Sequence, residues 1–278
     1  KIKSPENFEL DELIRTLRYI LNFHLIYFPK SKEREVSYKS LITLCSKQKD
    51  YQCIYNLSNK ILSEQFSKEF KEQILQEKIN AIEVLLPKNQ HLRKEQIETI
   101  EKYVVENPNT DKWLILAKRL TVLLNEEKQY ALSLPWLEKI HEKENTSESL
   151  YRLQYTKFES GDFKGVVENK YILPKDENGL KVQKLISESY IRLAEVSINK
   201  DDFSDYEKHI SSFLESNTDQ EKTSAAKLDY LERLLERKET EKVYTEIKKM
   251  NFESRFNKSF TKTTLRLQSV LMKNMDWV

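Results

Sequence analysis

Apolar residues recur along the chain every three or four positions, which places them on one face of a helix. The long stripe that starts at Phe70 stops at Pro87, and a later stripe stops at Asn107-Pro108. Both points are predicted helix ends, because proline disfavours helical geometry in the residue before it. Segments of useful length that alternate polar and apolar residues are missing from the sequence. We therefore predict an all-α chain.

Short polar segments lie between the helical stripes: Lys49-Asp50-Tyr51, Gly161-Asp162-Phe163, Asp201-Asp202-Phe203 and Glu239-Thr240-Glu241. In three of them an acidic residue precedes an aromatic one that opens the next helix, and its charge favours the positive helix N-terminus. Phe203 follows Phe163 by 40 residues, and Thr240 follows Phe203 by 37. A helix pair repeated at such intervals predicts an α-solenoid of antiparallel helix pairs.

The segment from Ser147 to Leu173 resembles the tetratricopeptide repeat family, with Leu150, Leu153 and the Gly161-Asp162-Phe163 turn at the motif's spacing. Weaker similar sets are Trp113, Leu116, Ala117 and Leu120; Tyr190, Leu193, Ala194 and Phe203; and Tyr38, Leu41, Cys45 and Tyr51. The chain departs from the family where Gln154 replaces a small residue and where Ile54, Val166 and Tyr206 replace alanine. Another solenoid of helical hairpins is the alternative.

The resemblance implies one solenoid over residues 1–278, with an N-terminal cap at 1–36, hairpin repeats at 37–250 and a C-terminal capping helix at 251–278. Caps differ from the repeats between them because one of their faces lacks a neighbour. The segment from Thr16 to Phe28 is too short and too charged for a membrane helix, so we expect a buried helix there. The chain begins at Lys1, which leaves both a cytoplasmic and an exported or periplasmic location open.

The composition argues against several classes of protein. Three glycines in 278 residues leave little room for phosphate-binding loops or strand-rich folds. A net charge of +2 is unusual for a dedicated nucleic-acid binder. The four histidines stand apart from one another and from the cysteines, which favours ordinary packed or surface residues over metal ligands. We predict no enzymatic activity, no cofactor, no metal and no small-molecule substrate. The Lys- and Asn-rich composition suggests a bacterial source.

Cys45 and Cys53 flank the Lys47–Tyr51 turn. An antiparallel hairpin could bring their Cα atoms within the roughly 4.4–6.8 Å of a disulfide. A bridge would suit an exported protein. The alternative is two small buried thiols, because a free cysteine packs like a small apolar residue.

Two surfaces are candidate binding sites. What the family resemblance implies is a concave groove lined by the first helices of successive pairs, with these residues facing a bound protein segment: Lys118, Tyr151, Arg152, Tyr155, Phe158 and Arg192. Packing of the tyrosines between repeats is the alternative. The second surface is a basic C-terminal face interleaved with phenylalanines, made of Lys248, Lys249, Arg255, Lys258, Lys262 and Arg266. It suits nucleic acid or an acidic partner, although a solvated cap fits it as well.

We therefore predict a non-enzymatic scaffold or adaptor in a larger assembly, which binds a peptide or helix of a protein partner in the groove. The alternative function is a regulatory protein that binds nucleic acid or an acidic partner through the basic C-terminal face.

Overall fold

The computed structural model describes residues 5–249 except 170 and 218. All of its regular structure over these residues is helical, apart from turns, as the periodicity predicts. The chain divides into two compact units, Lys1–Gln129 and Tyr130–Val278. A single solenoid over the whole chain, with its cap boundaries, stays a prediction. Along the described ranges, none of the helices has the length and hydropathy needed to span a bilayer.

Unit 1 is a series of antiparallel helices in which each one packs against the next along the chain. Its helices are α1 (Pro5–Tyr27), α2 (Arg34–Lys47), α3 (Tyr51–Ser63), α4 (Lys68–Leu85), α5 (Leu92–Glu106) and α6 (Trp113–Glu126). The α5 helix ends at Glu106, directly before Asn107-Pro108, whereas α4 ends at Leu85 and a short 3-10 helix, Leu86–Lys88, carries the chain past Pro87. One core cluster joins Leu25 of α1, Tyr38 of α2, Ile61 of α3 and Phe70 of α4.

In unit 2, too, each helix packs against the next along the chain. One short helix, α9, is flanked by α8 and α10, which also pack against each other. The helices of unit 2 are α7 (Tyr130–Glu144), α8 (Ser147–Glu159), α9 (Phe163–Val167), α10 (Glu177–Asn199), α11 (Phe203–Ser216), α12 (Gln220–Glu236) and α13 (Thr240–Lys249). One core cluster of unit 2 is built from α10 to α13 around Tyr206, Leu231 and Leu234. Helix pairs that bury their faces against neighbouring pairs are the architecture of an α-solenoid.

Five of the described helix reversals share one backbone geometry, best seen between α2 and α3. Lys49 has a φ of 55°, in the left-handed region. Its N–H donates to the Ser46 carbonyl, and the Asp50 N–H donates to the Cys45 carbonyl, both at 2.9 Å. This pair of bonds is a Schellman motif, which satisfies the last carbonyls of a helix. The Asp50 carboxylate then accepts from the Cys53 N–H at 3.0 Å, so one short segment ends α2 and starts α3.

The same two hydrogen bonds recur at reversals centred on Lys128, Gly161, Asp201 and Lys238. All four residues have positive φ, from 56° to 81°. Asp162 and Asp202 repeat the role of Asp50 as helix caps. The Lys128 reversal is absent from the sequence prediction, and it lies 33 residues before Gly161. Glycine occupies the left-handed position at Gly161, whereas L-residues occupy it elsewhere and bear the steric cost.

The polar residues Asn109-Thr110-Asp111 before α6 would suit a helix cap, yet the N-cap is Lys112, which makes no side-chain hydrogen bond. One prediction made above is wrong. The segment from Thr16 to Phe28 is not a buried helix, although Leu25 packs against α2. Several of its large apolar side chains are between 41% and 71% exposed: Leu17, Tyr19, Ile20, Phe23, Ile26, Tyr27 and Phe28. Periodicity identifies an apolar stripe, but it does not show whether the fold supplies a partner for it.

The reversals predict opposite effects of glycine at two positions of unit 2. We expect Gly161→Ala to lower the free energy of unfolding by about 1 kcal/mol, since an L-residue is strained at that φ. We expect Lys238→Gly to raise it by about 0.5–1 kcal/mol by removing the same strain. Urea unfolding followed by circular dichroism measures both changes. Lys238→Ala is the control and should give no such gain, because it keeps a Cβ; an equal gain would contradict a strained turn.

Candidate functional site: a groove lined by α8, α10, α11 and α12

Unit 2 contains an open groove of about 870 Å³. Its walls come from α8, α10 and α12, the first helices of three successive pairs, and α11 contributes to the floor. We call it the unit 2 groove. Of the six predicted groove residues, Phe158 of α8 and Arg192 of α10 line it together.

The floor of the unit 2 groove is apolar and belongs to the core. Ala194, Ile210 and Phe213 line it and are buried, and the half-buried Ile191 lies beside them. Ala225 and Ala226 on α12 leave the opposite wall low. Small residues there leave the apolar floor accessible from outside.

The rim of the groove carries three cations, each paired with a carboxylate. Arg192 Nη1 lies 3.2 Å from a Glu195 oxygen within α10. Lys222 Nζ lies 3.1 Å from Glu188, which joins α12 to α10. The third pair, Arg233 and Asp229, belongs to the cluster described next. Because each charge has a partner of opposite sign, the groove carries no net excess of either, and this rim does not select an acidic segment.

A polar cluster around Tyr206 closes the end of the groove on α11 and α12. The Tyr206 hydroxyl donates to Asp229 Oδ2 at 2.9 Å, and Arg233 Nε donates to the same oxygen at 2.8 Å. Burial, followed by the nearby Asp229 carboxylate, raises the pKa of Tyr206. The hydrogen bond that Arg233 donates to Asp229 also raises the pKa of Arg233. The ring of Tyr206 is buried, so the cluster holds α11 against α12 and leaves the charged ends of Asp229 and Arg233 at the rim.

The other predicted groove residues of unit 2 lie nearer the N-terminal end of α8 and do not line the groove. The rings of Tyr151 and Tyr155 lie 5.9 Å apart, and Lys181 Nζ of α10 lies 5.7 Å from the centre of the Tyr151 ring. Tyr155 is 41% exposed, so it is not a core residue. Arg152 donates to Glu148 one turn earlier. Lys118 is half-buried on α6 of unit 1.

Gln154 shows how unit 2 accommodates the departure from the repeat pattern. It is fully buried on α8, and its Nε2 donates to Asn169 Oδ1 at 3.2 Å in the segment after α9. A side chain larger than the expected small residue therefore fills the space above the short α9.

The two cysteines lie on either side of the α2–α3 reversal. Cys45 is in the last turn of α2, and Cys53 is in the first turn of α3. The structure joins them in a disulfide with Cα atoms 6.0 Å apart. Arg18 of α1 points at this bridge: its Nη2 lies 3.0 Å from Cys45 Sγ, 3.3 Å from Cys53 Sγ and 3.3 Å from Asp50. A closed bridge would tie α1, α2 and α3 together at one point, and the thiol titration below tests it.

The histidines do not form a common site, and within the described ranges no three His, Cys, Asp or Glu residues are placed to hold a metal ion. The buried His141 is at the α7–α8 junction, where its Nδ1 lies 2.8 Å from Ser149 Oγ. Its buried Nε2 has no hydrogen-bond partner among the described residues. Burial lowers the pKa of His141, although Glu142 opposes the effect.

The predicted basic face cannot be placed beside these sites. Arg255, Lys258, Lys262 and Arg266 lie outside the described residues, as does the predicted capping helix. Lys248 and Lys249 end α13, and the structure describes only their backbone.

Neither a protein-family model nor a curated protein matches the chain. Two solved structures resemble it weakly. The first, titled "MamA RS-1 ArsTM double mutant", has 13% identity and a TM-score of 0.35 over 66% of this chain and 94% of its own. The second, titled "MamA MSR-1 C2", has 16% identity and a TM-score of 0.35 over 64% of this chain and 95% of its own. The fold described above rests on the helix pairs of the chain itself.

The thiols provide a direct test of the bridge. We expect no reactive thiol in the denatured, unreduced protein and two after reduction, as measured by thiol titration. Cys45→Ser with Cys53→Ser should lower the free energy of unfolding by about 2–3 kcal/mol, because the unfolded chain loses its cross-link. Ser46→Ala, an exposed change next to the bridge, is the control. Two reactive thiols without reduction would contradict the bridge.

The buried histidine predicts a stability that depends on pH. The folded-state pKa of His141 is below its ordinary value near 6.5, so the unfolded chain binds a proton more readily. The stability is present above pH 6.5 and is lost as the pH falls below it. We expect His141→Gln to reduce this loss in unfolding experiments between neutral and mildly acidic pH. Burial also lowers the pKa of His209, so the variant should still lose part of this stability as the pH falls. A slope of stability against pH that stays the same in His141→Gln would exclude His141 as a source.

Proposed function

We propose that the chain is a non-enzymatic scaffold whose unit 2 groove binds a segment of a protein partner. The observation that supports this proposal is the combination of an apolar floor with walls from successive first helices, to which α8 contributes Phe158 alone. Such a groove fits a helix or extended peptide, which places apolar side chains in a concave surface and leaves its polar face at the rim.

The pairing of the rim charges indicates which partner chemistry suits the groove. Arg192, Lys222 and Arg233 already have carboxylate partners, so an acidic segment would have to displace these interactions. We therefore infer a segment with an apolar anchor and mixed or neutral flanking charge. Phe158 and Ile191 provide the apolar contacts from adjacent helices, and aromatic side chains contribute strongly to such interfaces.

The proposal revises the role of the Tyr151 and Tyr155 pair. These rings extend along α8 towards its N-terminal end, with Lys181 over one of them. They form an accessory surface that a longer segment would contact after leaving the groove. Loss of the tyrosines should therefore weaken binding less than filling the groove does.

Filling the groove tests the proposal without removing a core side chain. Ala225 is exposed and lines the groove, so Ala225→Trp places a large ring over the floor. Ala131→Trp makes the same change at an exposed position of α7. We expect quantitative affinity capture from the source cell to recover a defined protein with the wild type and with Ala131→Trp, and to lose it with Ala225→Trp.

Both variants must first show wild-type helical content and melting behaviour. A partner retained by folded Ala225→Trp would contradict groove binding. The salt dependence then separates the two functions: binding through apolar anchors changes little with salt. Nucleic acid bound through the basic C-terminal face would instead lose affinity steeply, because each neutralised phosphate releases counterions.

A further inference from the structure

The outer surface of α1 carries seven large apolar side chains that are exposed, and we call this surface the α1 face. They are Leu13, Leu17, Tyr19, Ile20, Phe23, Ile26 and Tyr27, with exposures between 41% and 71%. At about 100° per residue they span roughly half of the helix circumference. Monomeric soluble proteins rarely expose a continuous apolar patch of this kind, and such patches mark interaction sites.

The α1 face has the ridges and grooves of a surface that packs against another helix. Tyr19, Phe23 and Tyr27 form an aromatic ridge at four-residue spacing, with neighbouring ring centres 6.5 and 4.3 Å apart. Leu13, Leu17 and Ile20 form an aliphatic row alongside it. Two helices pack when the ridges of one fit the grooves of the other, and this surface offers both features.

The charges at the two ends of α1 have opposite signs. The sequence places four acidic residues in the first turns, Glu6, Glu9, Asp11 and Glu12. Beyond the other end the exposed Lys30 and Lys32 follow, with Glu33 next to them. A second α1 helix in the antiparallel direction would place its acidic end beside these lysines, whereas a parallel one would place acid beside acid. Antiparallel pairing also opposes the two helix dipoles favourably.

We propose that the α1 face is the interface of a symmetric dimer in which the α1 helices of two copies of the chain pack antiparallel. A twofold axis makes each contact twice, so the acidic end of either helix meets the lysines of the other. The two aromatic ridges are then removed from water, which supplies the main favourable free energy. This dimer does not depend on the unit 2 groove.

Sedimentation velocity of the full chain over a range of concentrations tests the dimer. We expect the wild type to dimerise, and Ile20→Glu with Phe23→Glu to weaken the dimer by about tenfold or more, since each would bury a carboxylate without a partner. Ile115→Glu is the matched control, because Ile115 on α6 is 68% exposed and lies outside the α1 face. Circular dichroism must show unchanged helical content in all three proteins.

Charge reversal tests the direction of packing. Lys30→Glu with Lys32→Glu should weaken the dimer at low salt, and added salt should reduce the effect because it screens exposed charges. Changing the four acidic residues to lysine in the same chain should restore the dimer. In parallel packing, Lys30 and Lys32 of one copy would face the same lysines of the other. Changing these lysines to glutamate would then replace one like-charge contact with another, and it would not weaken the dimer.

Three outcomes would overturn the proposal. One is a wild type that is monomeric at every concentration, and another is a dimer that is insensitive to the Ile20 and Phe23 changes. The third is a monomer that sediments with phosphatidylglycerol vesicles and loses this binding when Ile20 and Phe23 are changed. That result would assign the α1 face to a lipid surface instead.

Discussion

A helix can be followed at once by an antiparallel neighbour only if the chain reverses without leaving its last carbonyls unpaired. This chain meets that constraint with a left-handed residue and a Schellman pair of hydrogen bonds at five described reversals, from Lys49 to Lys238. The following residue often caps the next helix, as Asp50, Asp162 and Asp202 do. These reversals set the register between the helices of a pair. The reversal at Lys49 brings the Cα atoms of Cys45 and Cys53 to 6.0 Å from each other.

The unit 2 groove follows from the same pairing. Because α9, α11 and α13 each return the chain, α8, α10 and α12 come to lie along one side, where they form the groove walls. The wall residues then pair across helices, as Lys222 of α12 does with Glu188 of α10. The rim is therefore a set of internal ion pairs as well as a candidate binding surface. Exposed pairs of this kind contribute little to stability, so their main effect here is to leave the rim without an excess of either charge.

The sequence was sufficient to predict the helices, four of the five reversals and the pairing of helices, because these depend on local periodicity, glycine and acidic caps. The reversal at Lys128 was missed because Gln129 follows it, whereas an acidic residue follows the left-handed position at each of the four predicted reversals. Pro135 would also have suggested a helix end, yet it lies inside α7. Of the six predicted groove residues, Phe158 and Arg192 line the groove. The rim partners Glu188 and Asp229 depend on contacts between helices, which spacing within one helix cannot indicate.

The position of the cysteine pair has a consequence for chain integrity. Lys47 and Lys49 are exposed between Cys45 and Cys53, at a turn that a trypsin-like protease can reach. With the bridge closed, a cut there would leave α2 and α3 covalently joined and still packed together. The cleaved protein would keep its apparent size until a reductant separated the two pieces. At this hairpin the continuity of the backbone and the integrity of the fold are independent properties.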